Sequence, residues 1–321
     1  METLLINKYK PQSFEEMYLD NYLIEFLNTL IETSNLNLLI TGENESGKTL
    51  LSHILLQQYY KDESIIEINK NILIINTLKE QGIQYFKNDL KIFFQTCSTL
   101  SHKKKTIIID NIDLINENCQ MILKEYIENY PNINFILTIT NYQKLIDNLQ
   151  SCLLTIKITK PTLEYLDNLL NKIITKENLI IDENSKNFIL KISNYSYKII
   201  INYCEKIKLL NLKIDMLNVL RITTNIHFYK FEELHFLLKE KKIYEAMTLS
   251  LQIIDDGYSV IDFLDNYYLF IKITLLIEEE VKYEIIKLIC KYIIVFYNIH
   301  EEEVEIILFI KNIYNIYDQK F

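Results

Sequence analysis

Two of the four glycines in this 321-residue chain bracket one short run. The run extends from Gly42 to Thr49 and reads Gly-Glu-Asn-Glu-Ser-Gly-Lys-Thr. Glycines at this spacing, followed by Lys-Thr, are the pattern of a phosphate-binding loop. Glycine lets the backbone curl so that successive N–H groups point at one anion, and the helix that follows adds its positive N-terminal end. The run therefore predicts a strand, a loop and a helix arranged around a bound phosphate.

The residues on either side of the loop support this interpretation. Leu38–Thr41 reads as a short buried strand, and Leu50–Leu56 reads as a helix with an apolar inner side. The alternative is an ordinary turn between two packed elements. Lys48 is predicted to reach the β- and γ-phosphates, and the Thr49 hydroxyl is predicted to bind Mg²⁺. The predicted nucleotide-contacting residues of the loop are Gly42, Glu43, Asn44, Glu45, Ser46, Gly47, Lys48, Thr49 and Leu50.

Two acidic side chains of the loop count against tight binding. Glu43 and Glu45 repel a triphosphate through their negative charge unless they point to solvent. The sequence therefore predicts only modest nucleotide affinity if these carboxylates face the phosphates.

A second candidate element is an apolar strand that ends in acidic and amide side chains. Thr106–Ile109 is followed by Asp110, and a carboxylate at this strand end binds Mg²⁺ in P-loop ATPases. The next residue normally supplies a carboxylate that orients the attacking water, but here it is Asn111, which cannot accept a proton. Asp113 is the alternative carboxylate, although its place along a helix start predicts that it points elsewhere. These residues favour nucleotide binding over fast hydrolysis.

A third polar side chain ends another strand-like run. Asn141 follows the apolar run Asn134–Ile139, and a side chain there can lie between the loop and Asp110 and touch the γ-phosphate or its water. The alternative is an asparagine that simply ends a strand. The predicted catalytic residues are Lys48, Asp110, Asn111 and Asn141, and the predicted metal ligands are Thr49 and Asp110.

Strand-like and helix-like segments alternate up to residue 160, which is typical of a parallel sheet with helices on both faces. After Pro161 the strand signals stop and helical patterns continue, with Gly257 as a break between two of them. The predicted strands are Leu38–Ile40, Ile65–Ile68, Thr106–Ile109, Asn134–Ile139 and Leu153–Ile158. The predicted helices after them include Thr162–Glu177, Ser185–Ile192, Phe231–Lys239 and Ile243–Ile254. We expect three domains, at residues 1–160, 161–222 and 223–321.

The composition limits the classes of function. A net charge of −9 argues against a freestanding nucleic-acid binder, although it allows a DNA-facing strip on an acidic body. The cysteines lack Cys-x-x-Cys spacing and the histidines are scattered, which argues against disulfides, zinc and a His- or Cys-based catalytic site. The N-terminus lacks a signal peptide's apolar core, and Ile285–Ile299 contains lysines, so it is predicted to be a packed helix and not a membrane span. We expect a soluble, intracellular protein, and the richness in Ile, Asn, Lys and Tyr is typical of an AT-rich genome.

Further motifs give the chain a family resemblance that runs through nearly its whole length. Together with the loop, they resemble the small subunits of replication factor C, sliding-clamp loaders of the AAA+ class. Asn7–Pro11 with Phe14–Glu16 is similar to the family's opening box, and residues 76–93, which contain Gly82, resemble the box whose helix tracks template DNA. The other similar segments are the sensor strand at 135–141, the lid motif at 192–198 and the collar helices from 231 to 259.

This resemblance implies an α/β P-loop AAA+ module, a parallel sheet flanked by helices, with a helical lid and an all-α C-terminal collar domain. It implies ATP and Mg²⁺ as cofactors, with Lys10 and Pro11 near the adenine and Lys198 replacing the lid arginine that contacts the γ-phosphate. The implied partners are other clamp-loader subunits in a hetero-pentameric ring, a sliding clamp and primer–template DNA, without a membrane. The implied location is the nucleus or another site of DNA replication, such as a viral factory. The implied DNA-contacting residues are Lys87, Lys91 and Lys124, for which solvated surface lysines are the alternative.

The chain departs from this family at two functional positions. Asn111 stands where the family has a glutamate, and Gln150–Leu153 lacks the arginine that reaches into a neighbour's ATP site. Arg221 is the only arginine in the chain. A lysine cannot replace an arginine fully, because it lacks the planar guanidinium group with its several N–H donors. We therefore expect ATP binding with slow turnover, in a ring position where no arginine finger is needed. The alternatives are a structural ring subunit that does not hydrolyse ATP and another AAA+ initiator or helicase loader.

Overall fold

The chain forms two compact units in a computed structural model, which describes residues 4–77, 90–96, 98–100, 102–210, 218–219, 226–296 and 302–320. The first unit comprises Met1–Leu169 and Tyr195–Ile201, and the second comprises Leu170–Asn194 and Asn202–Phe321. The domain boundaries at residues 160 and 222 stay a prediction.

A five-stranded sheet forms the centre of the first unit. All of its strand pairs are parallel, and the strand order is β2-β3-β4-β1-β5. The carboxyl ends of the strands therefore meet at one edge of the sheet, where open α/β sheets bind their ligands. The strands are β1 (Leu38–Gly42), β2 (Ile72–Asn76), β3 (Lys105–Asp110), β4 (Ile133–Ile139) and β5 (Leu154–Ile158).

One predicted strand is wrong. Ile65–Ile68 lies in a helix, and the strand of this region is Ile72–Asn76. The Ser64 side chain accepts a hydrogen bond from the Glu67 N–H at 3.4 Å, and its hydroxyl donates to the Glu67 carboxylate at 2.7 Å. These contacts stabilise a helix start, because they satisfy a backbone donor that the first turn leaves unpaired. Ile65 is 75% exposed, so its apolar side chain does not belong to a buried strand.

The two faces of the sheet carry separate apolar cores because successive strand residues point to opposite sides. Ile40, Ile108 and Ile136 belong to the core of one face, together with residues of the helices that flank it. Leu39 and Phe135 belong to the core of the other face. Helices therefore cover both faces, as the alternation of strands and helices predicts. The helices of the first unit are α1 (Leu5–Lys8), α2 (Asn21–Glu32), α3 (Lys48–Tyr59), α4 (Ile65–Asn71), α5 (Leu90–Gln95), α6 (Glu117–Asn129) and α7 (Asp147–Gln150).

Helices alone follow in the described part of the chain after β5. They are α8 (Leu163–Glu177), α9 (Glu183–Ile192), α10 (Tyr197–Leu210), α11 (Phe228–Lys239), α12 (Ile243–Asp255), α13 (Val260–Ile273), α14 (Glu279–Phe296) and α15 (Glu303–Lys320). Gly257 separates α12 from α13 with a φ of +99°, a backbone conformation that favours glycine. Ser259 and Asp262 then form a reciprocal capping box at the start of α13.

An aromatic core holds the second unit together. The Phe231 ring lies 5.5 Å from the Phe263 ring and 5.3 Å from the Tyr267 ring, measured between centroids. His235 Nδ1 and the Tyr317 hydroxyl are both buried and lie 2.7 Å apart. Among the described residues, no helix has the length and apolar character that crossing a membrane requires.

Candidate nucleotide-binding site

The loop between β1 and α3 has the tight backbone that its glycines predict. A Cβ atom on Gly42 would lie 2.7 Å from the main-chain oxygen of Ile158 and 2.7 Å from the Ser46 hydroxyl. Gly47 precedes α3 with a φ of +94°, and Glu45 has a φ of +63°. Left-handed residues within a short loop turn successive N–H groups inward, which makes a cradle for an anion. The buried Ser46 hydroxyl has no hydrogen-bond partner among the described residues, so it is available to a ligand in this cradle.

Lys48 lies at the start of α3 with its amine folded over the loop. The side chain is buried, and its Nζ donates to the main-chain oxygens of Gly42 at 2.9 Å and Glu43 at 2.7 Å. Burial lowers the pKa of Lys48, and the carboxylates of Asp113 and Asp110 oppose that shift. The Lys48 amine therefore lies beside the anion cradle and near the carboxylates of Asp110 and Asp113.

The P-loop threonine and the acidic end of β3 lie in contact. Thr49 Oγ1 lies 3.0 Å from both carboxylate oxygens of Asp110. A hydroxyl and a carboxylate are hard oxygen ligands of the kind that Mg²⁺ prefers. The two predicted metal ligands therefore form a donor set that fits Mg²⁺, which would supply positive charge next to the phosphates when bound.

Two further threonines fix the end of β3. Thr138 on β4 is fully buried, and its hydroxyl donates to Asp110 Oδ1 at 2.5 Å while accepting the Asn111 N–H at 2.9 Å. The Thr77 hydroxyl lies 2.8 Å from the main-chain oxygen of Asp110 and 3.0 Å from that of Asn111. The sequence analysis missed both residues. The available signal was the threonine at 138, which interrupts the apolar run that begins at Phe135.

Asn111 occupies a left-handed backbone conformation, with φ 54° and ψ 59°. Asparagine tolerates this conformation better than most residues. Its side chain lies at the cavity described below, where an amide can bind water but cannot remove a proton. ATP binding without fast hydrolysis stays a prediction.

The expectation that Asp113 points elsewhere is wrong. Its carboxylate is close enough to oppose the lowering of the Lys48 pKa that burial causes, and its Oδ2 accepts the Asn141 N–H at 3.3 Å. Its Oδ1 is buried and has no hydrogen-bond partner among the described residues. The left-handed Asn111 and the 3₁₀ turn Ile112–Leu114 redirect the chain, so that Asp113 returns to the strand ends. A second carboxylate therefore lies at the site beside Asp110.

The side chain of Asn141 caps a turn. Its Oδ1 accepts the N–H of Gln143 at 3.1 Å at the start of the 3₁₀ turn Tyr142–Lys144. The neighbouring Thr140 hydroxyl donates to Asn44 of the loop at 3.4 Å, so this strand end does lie beside the loop. The contact of Asn141 with a γ-phosphate stays a prediction.

A cavity of about 510 Å³ lies beside the loop within the first unit. It brings together the predicted residues Lys10, Pro11, Asn111 and Lys198 with residues 44–50. Gly42 and Glu43 belong to the adjoining loop, whereas Asp110 contacts the cavity residue Thr49. Lining residues that the sequence analysis missed are Ile6, Asn7, Met17, Tyr18, Thr159, Pro161, Tyr165 and Tyr197.

The acidic side chains of the loop lie at the surface. Glu43 and Glu45 are both exposed, and the Glu43 carboxylate forms an ion pair with Lys160 at 3.0 Å. An exposed pair of this kind adds little stability, but it reduces the negative charge beside the phosphates. Both carboxylates are therefore open to solvent, and the binding of a triphosphate by the loop stays a prediction.

Comparison with known proteins agrees with this geometry. A family profile described as an AAA domain matches residues 34–156. A putative replication factor C small subunit of Acanthamoeba polyphaga mimivirus is 23% identical over 84% of this chain and 83% of its own length. A replication factor C small subunit of Methanoculleus marisnigri is 25% identical over 72% of this chain and 71% of its own length. The chain is a replication factor C small-subunit-like AAA+ protein.

Solved structures support the same fold. A variant of RuvB from Thermotoga maritima has a TM-score of 0.51 and 14% sequence identity, and it covers 82% of this chain and 90% of its own. At this identity the likeness shows the fold alone. The predicted AAA+ fold class, with an all-helical C-terminal region, is confirmed. This fold implies nucleotide binding, and the named relatives support a general clamp-loader role in DNA replication.

The lysines predicted to contact DNA differ in their surroundings. Lys91 is exposed on α5, whereas the Lys124 amine forms an ion pair with Glu128 at 2.7 Å on α6. Lys87 lies outside the described residues. Their contact with DNA stays a prediction.

Proposed function

We propose that this AAA+ protein binds ATP with Mg²⁺ and works as a subunit of a ring-shaped complex that loads a sliding clamp onto primer–template DNA. The observation that carries the nucleotide part is the contact of Thr49 with both oxygens of Asp110 at 3.0 Å. The names of the relatives support the clamp-loading part, since they are replication factor C subunits.

The phosphate chain would lie in the cradle of residues 42–49. Backbone N–H groups and the N-terminal end of α3 would bind the phosphate oxygens, and the Lys48 amine would neutralise part of their charge. Thr49 and Asp110 would hold the metal ion. The nucleoside would extend toward Lys10 and Pro11, with Lys198 near the same cavity.

We further propose that this subunit binds ATP but turns it over slowly. Asn111 offers an amide where a proton acceptor is needed, and residues 1–160 contain no arginine to act in a neighbour's site. An arginine finger accelerates phosphoryl transfer by about 10³- to 10⁵-fold. The subunit would therefore occupy a ring position in which ATP stays bound at its own site. In that position it would supply no arginine finger to the site of a neighbouring subunit. A purely structural subunit is the second candidate, and the same two observations favour it.

Equilibrium ATP binding by the purified chain tests the first part. We expect Lys48→Ala to weaken ATP binding by about 100-fold, the effect of removing a charged hydrogen-bond partner. Lys61→Ala is the matched control, because Lys61 is an exposed lysine beyond the C-terminal end of α3. Equal affinities of the wild type and the Lys48 variant would refute nucleotide binding through this loop.

A reconstituted ring tests the assignment of slow turnover. The chain is assembled with its partner subunits and the clamp, and the ATPase rate of the ring is measured with Lys48→Ala in this chain alone. We expect most of the rate to remain. A collapse of the rate would mean that this site carries the turnover. Failure to co-assemble with any clamp-loader subunit would refute the proposed role in the ring.

A further inference from the structure

Two tyrosine hydroxyls hold the opening segment of the chain at the cavity. Tyr165 on α8 donates its hydroxyl to the main-chain oxygen of Glu16 at 2.8 Å. Tyr197, the first residue of α10, donates its hydroxyl to the main-chain oxygen of Tyr9. All four residues belong to the first unit, and both tyrosines also line the cavity.

These two contacts bracket the segment that includes Lys10 and Pro11. Residues 9–16 have little regular structure of their own, with only the 3₁₀ turn Phe14–Glu16 near their end. The position of such a segment depends on side-chain contacts, because it lacks the repeated backbone hydrogen bonds of a helix or strand. The Tyr18 ring follows this segment and packs against the Tyr165 ring, with centroids 5.2 Å apart. This part of the cavity wall is therefore held by tyrosine contacts.

The two phenols keep their protons, which the donation requires. Burial raises the pKa of Tyr197 and the pKa of Tyr165 above the usual tyrosine value. Nearby Glu16 adds to both shifts. The hydroxyls therefore remain donors throughout the neutral pH range.

We propose that Tyr165 and Tyr197 are positioning residues that fix residues 9–16 as the wall for the nucleoside part of ATP. The inference rests on the proposed binding of ATP. In this proposal, the two hydroxyls contribute to the affinity for the base and ribose. The loop, Lys48 and Asp110 bind the triphosphate and its metal ion.

The test compares two ligands that share the phosphates but differ in the nucleoside. Mg²⁺–ATP and Mg²⁺–tripolyphosphate are titrated into the wild type, Tyr165→Phe and Tyr197→Phe, each of which loses only a hydroxyl. We expect each variant to bind ATP about fivefold more weakly, the effect of one lost hydrogen bond. Tripolyphosphate affinity is expected to stay within about twofold, since the two ends of the cavity use separate contacts.

Tyr60→Phe is the matched control. The Tyr60 hydroxyl donates to the main-chain oxygen of Lys104 at 2.6 Å, near the end of β3 opposite the nucleotide site. We expect this variant to lower the melting temperature without changing the affinity for either ligand. Melting temperatures of all variants are measured beside the titrations, so that loss of fold is separated from loss of affinity.

The outcomes distinguish the inference from the proposed function. Weaker ATP binding with unchanged tripolyphosphate binding, in either tyrosine variant, supports the inference. Unchanged ATP binding in both folded variants, or an equal loss for both ligands, would overturn it and leave ATP binding in place. A wild type that binds neither ligand would overturn the proposed function and the inference with it.

Discussion

The two ends of the cavity are built by different physical means. At the phosphate end, Asp110 ends β3, Thr138 lies on the neighbouring strand β4 and Thr49 lies in the first turn of α3. Hydrogen bonds to the Asp110 carboxylate link the three residues. At the base end, Tyr165 and Tyr197 reach from α8 and α10 to main-chain oxygens of a segment near the N-terminus. The phosphate end is fixed by the sheet, whereas the base end is fixed by a few side chains.

Because of this difference, substitutions at the two ends are expected to affect the binding of ATP and of tripolyphosphate differently. A network of charges and buried hydroxyls acts on any ligand that carries phosphates and a metal ion. A wall held by two neutral hydrogen bonds acts only on ligands that reach it, and each bond contributes about 1 kcal/mol. Changes at the phosphate end should therefore be large and independent of the nucleoside.

The largest effect is expected from Gly42→Ala. The new Cβ would lie 2.7 Å from the main-chain oxygen of Ile158, so the loop must move. We expect binding of ATP and of tripolyphosphate to fall by more than about 100-fold, with a stability cost of roughly 1–3 kcal/mol. Titration calorimetry and urea unfolding measure the two effects. The control is Gly257→Ala, which is strained by its φ of +99° but lies in the second unit and should leave binding unchanged.

Removal of the metal carboxylate is expected to have the next largest effect. Asp110→Asn loses the negative charge that faces Thr49 and should weaken Mg²⁺-dependent binding of both ligands by about 10- to 100-fold. Chelation of Mg²⁺ should bring the wild type down to the affinity of the variant. If chelation weakened the variant as much as the wild type, Asp110 would not be a ligand of the metal ion.

Thr138→Val tests the support behind that carboxylate. The substitution keeps the shape but removes the hydroxyl that donates to Asp110 and accepts the Asn111 N–H. We expect Mg²⁺-dependent affinity to fall about fivefold and the free energy of unfolding to fall by about 1–3 kcal/mol, because buried polar groups lose their partner. Thr138→Ser should behave like the wild type, and equal losses for valine and serine would point to packing instead.

The smallest effect is expected from Lys198→Ala, a change at the residue next to Tyr197 in the cavity lining. The Lys198 side chain is exposed. An interaction between exposed opposite charges contributes at most about 1 kcal/mol of free energy. ATP affinity should therefore fall by no more than about threefold, and the effect should shrink as salt is added. A loss above tenfold that resists salt would show that this lysine is buried against the nucleotide, which would erase the contrast between the two ends.

Sequence reasoning succeeded where one local stretch carries the information. Gly42, Gly47 and Lys48 lie within one loop, and the apolar runs of β1, β3, β4 and β5 are continuous in the chain. It failed at Ile65–Ile68, where an apolar pair resembles a strand although Ser64 and Glu67 begin a helix. Short apolar runs are ambiguous in this way, because periodicity needs more residues than they contain.

The missed site residues are defined by contacts between distant segments. Tyr197 and Tyr9 are 188 positions apart, and no local pattern indicates that a hydroxyl meets a carbonyl there. Asp113 was misjudged for a related reason, since the prediction assumed a regular helix start where Asn111 is left-handed. A single positive φ redirected the chain and brought a second carboxylate to the site.

The left-handed backbone of Asn111 also bears on how this protein can change during evolution. A glutamate at 111 would restore a proton acceptor, but a residue other than glycine, asparagine or aspartate gives up roughly 1–2 kcal/mol in this conformation. Thr77 and Thr138 hold the backbone of 111 on both sides, so it is not free to relax. A change from the amide to a glutamate at this position therefore carries a cost in stability that a second substitution would have to offset.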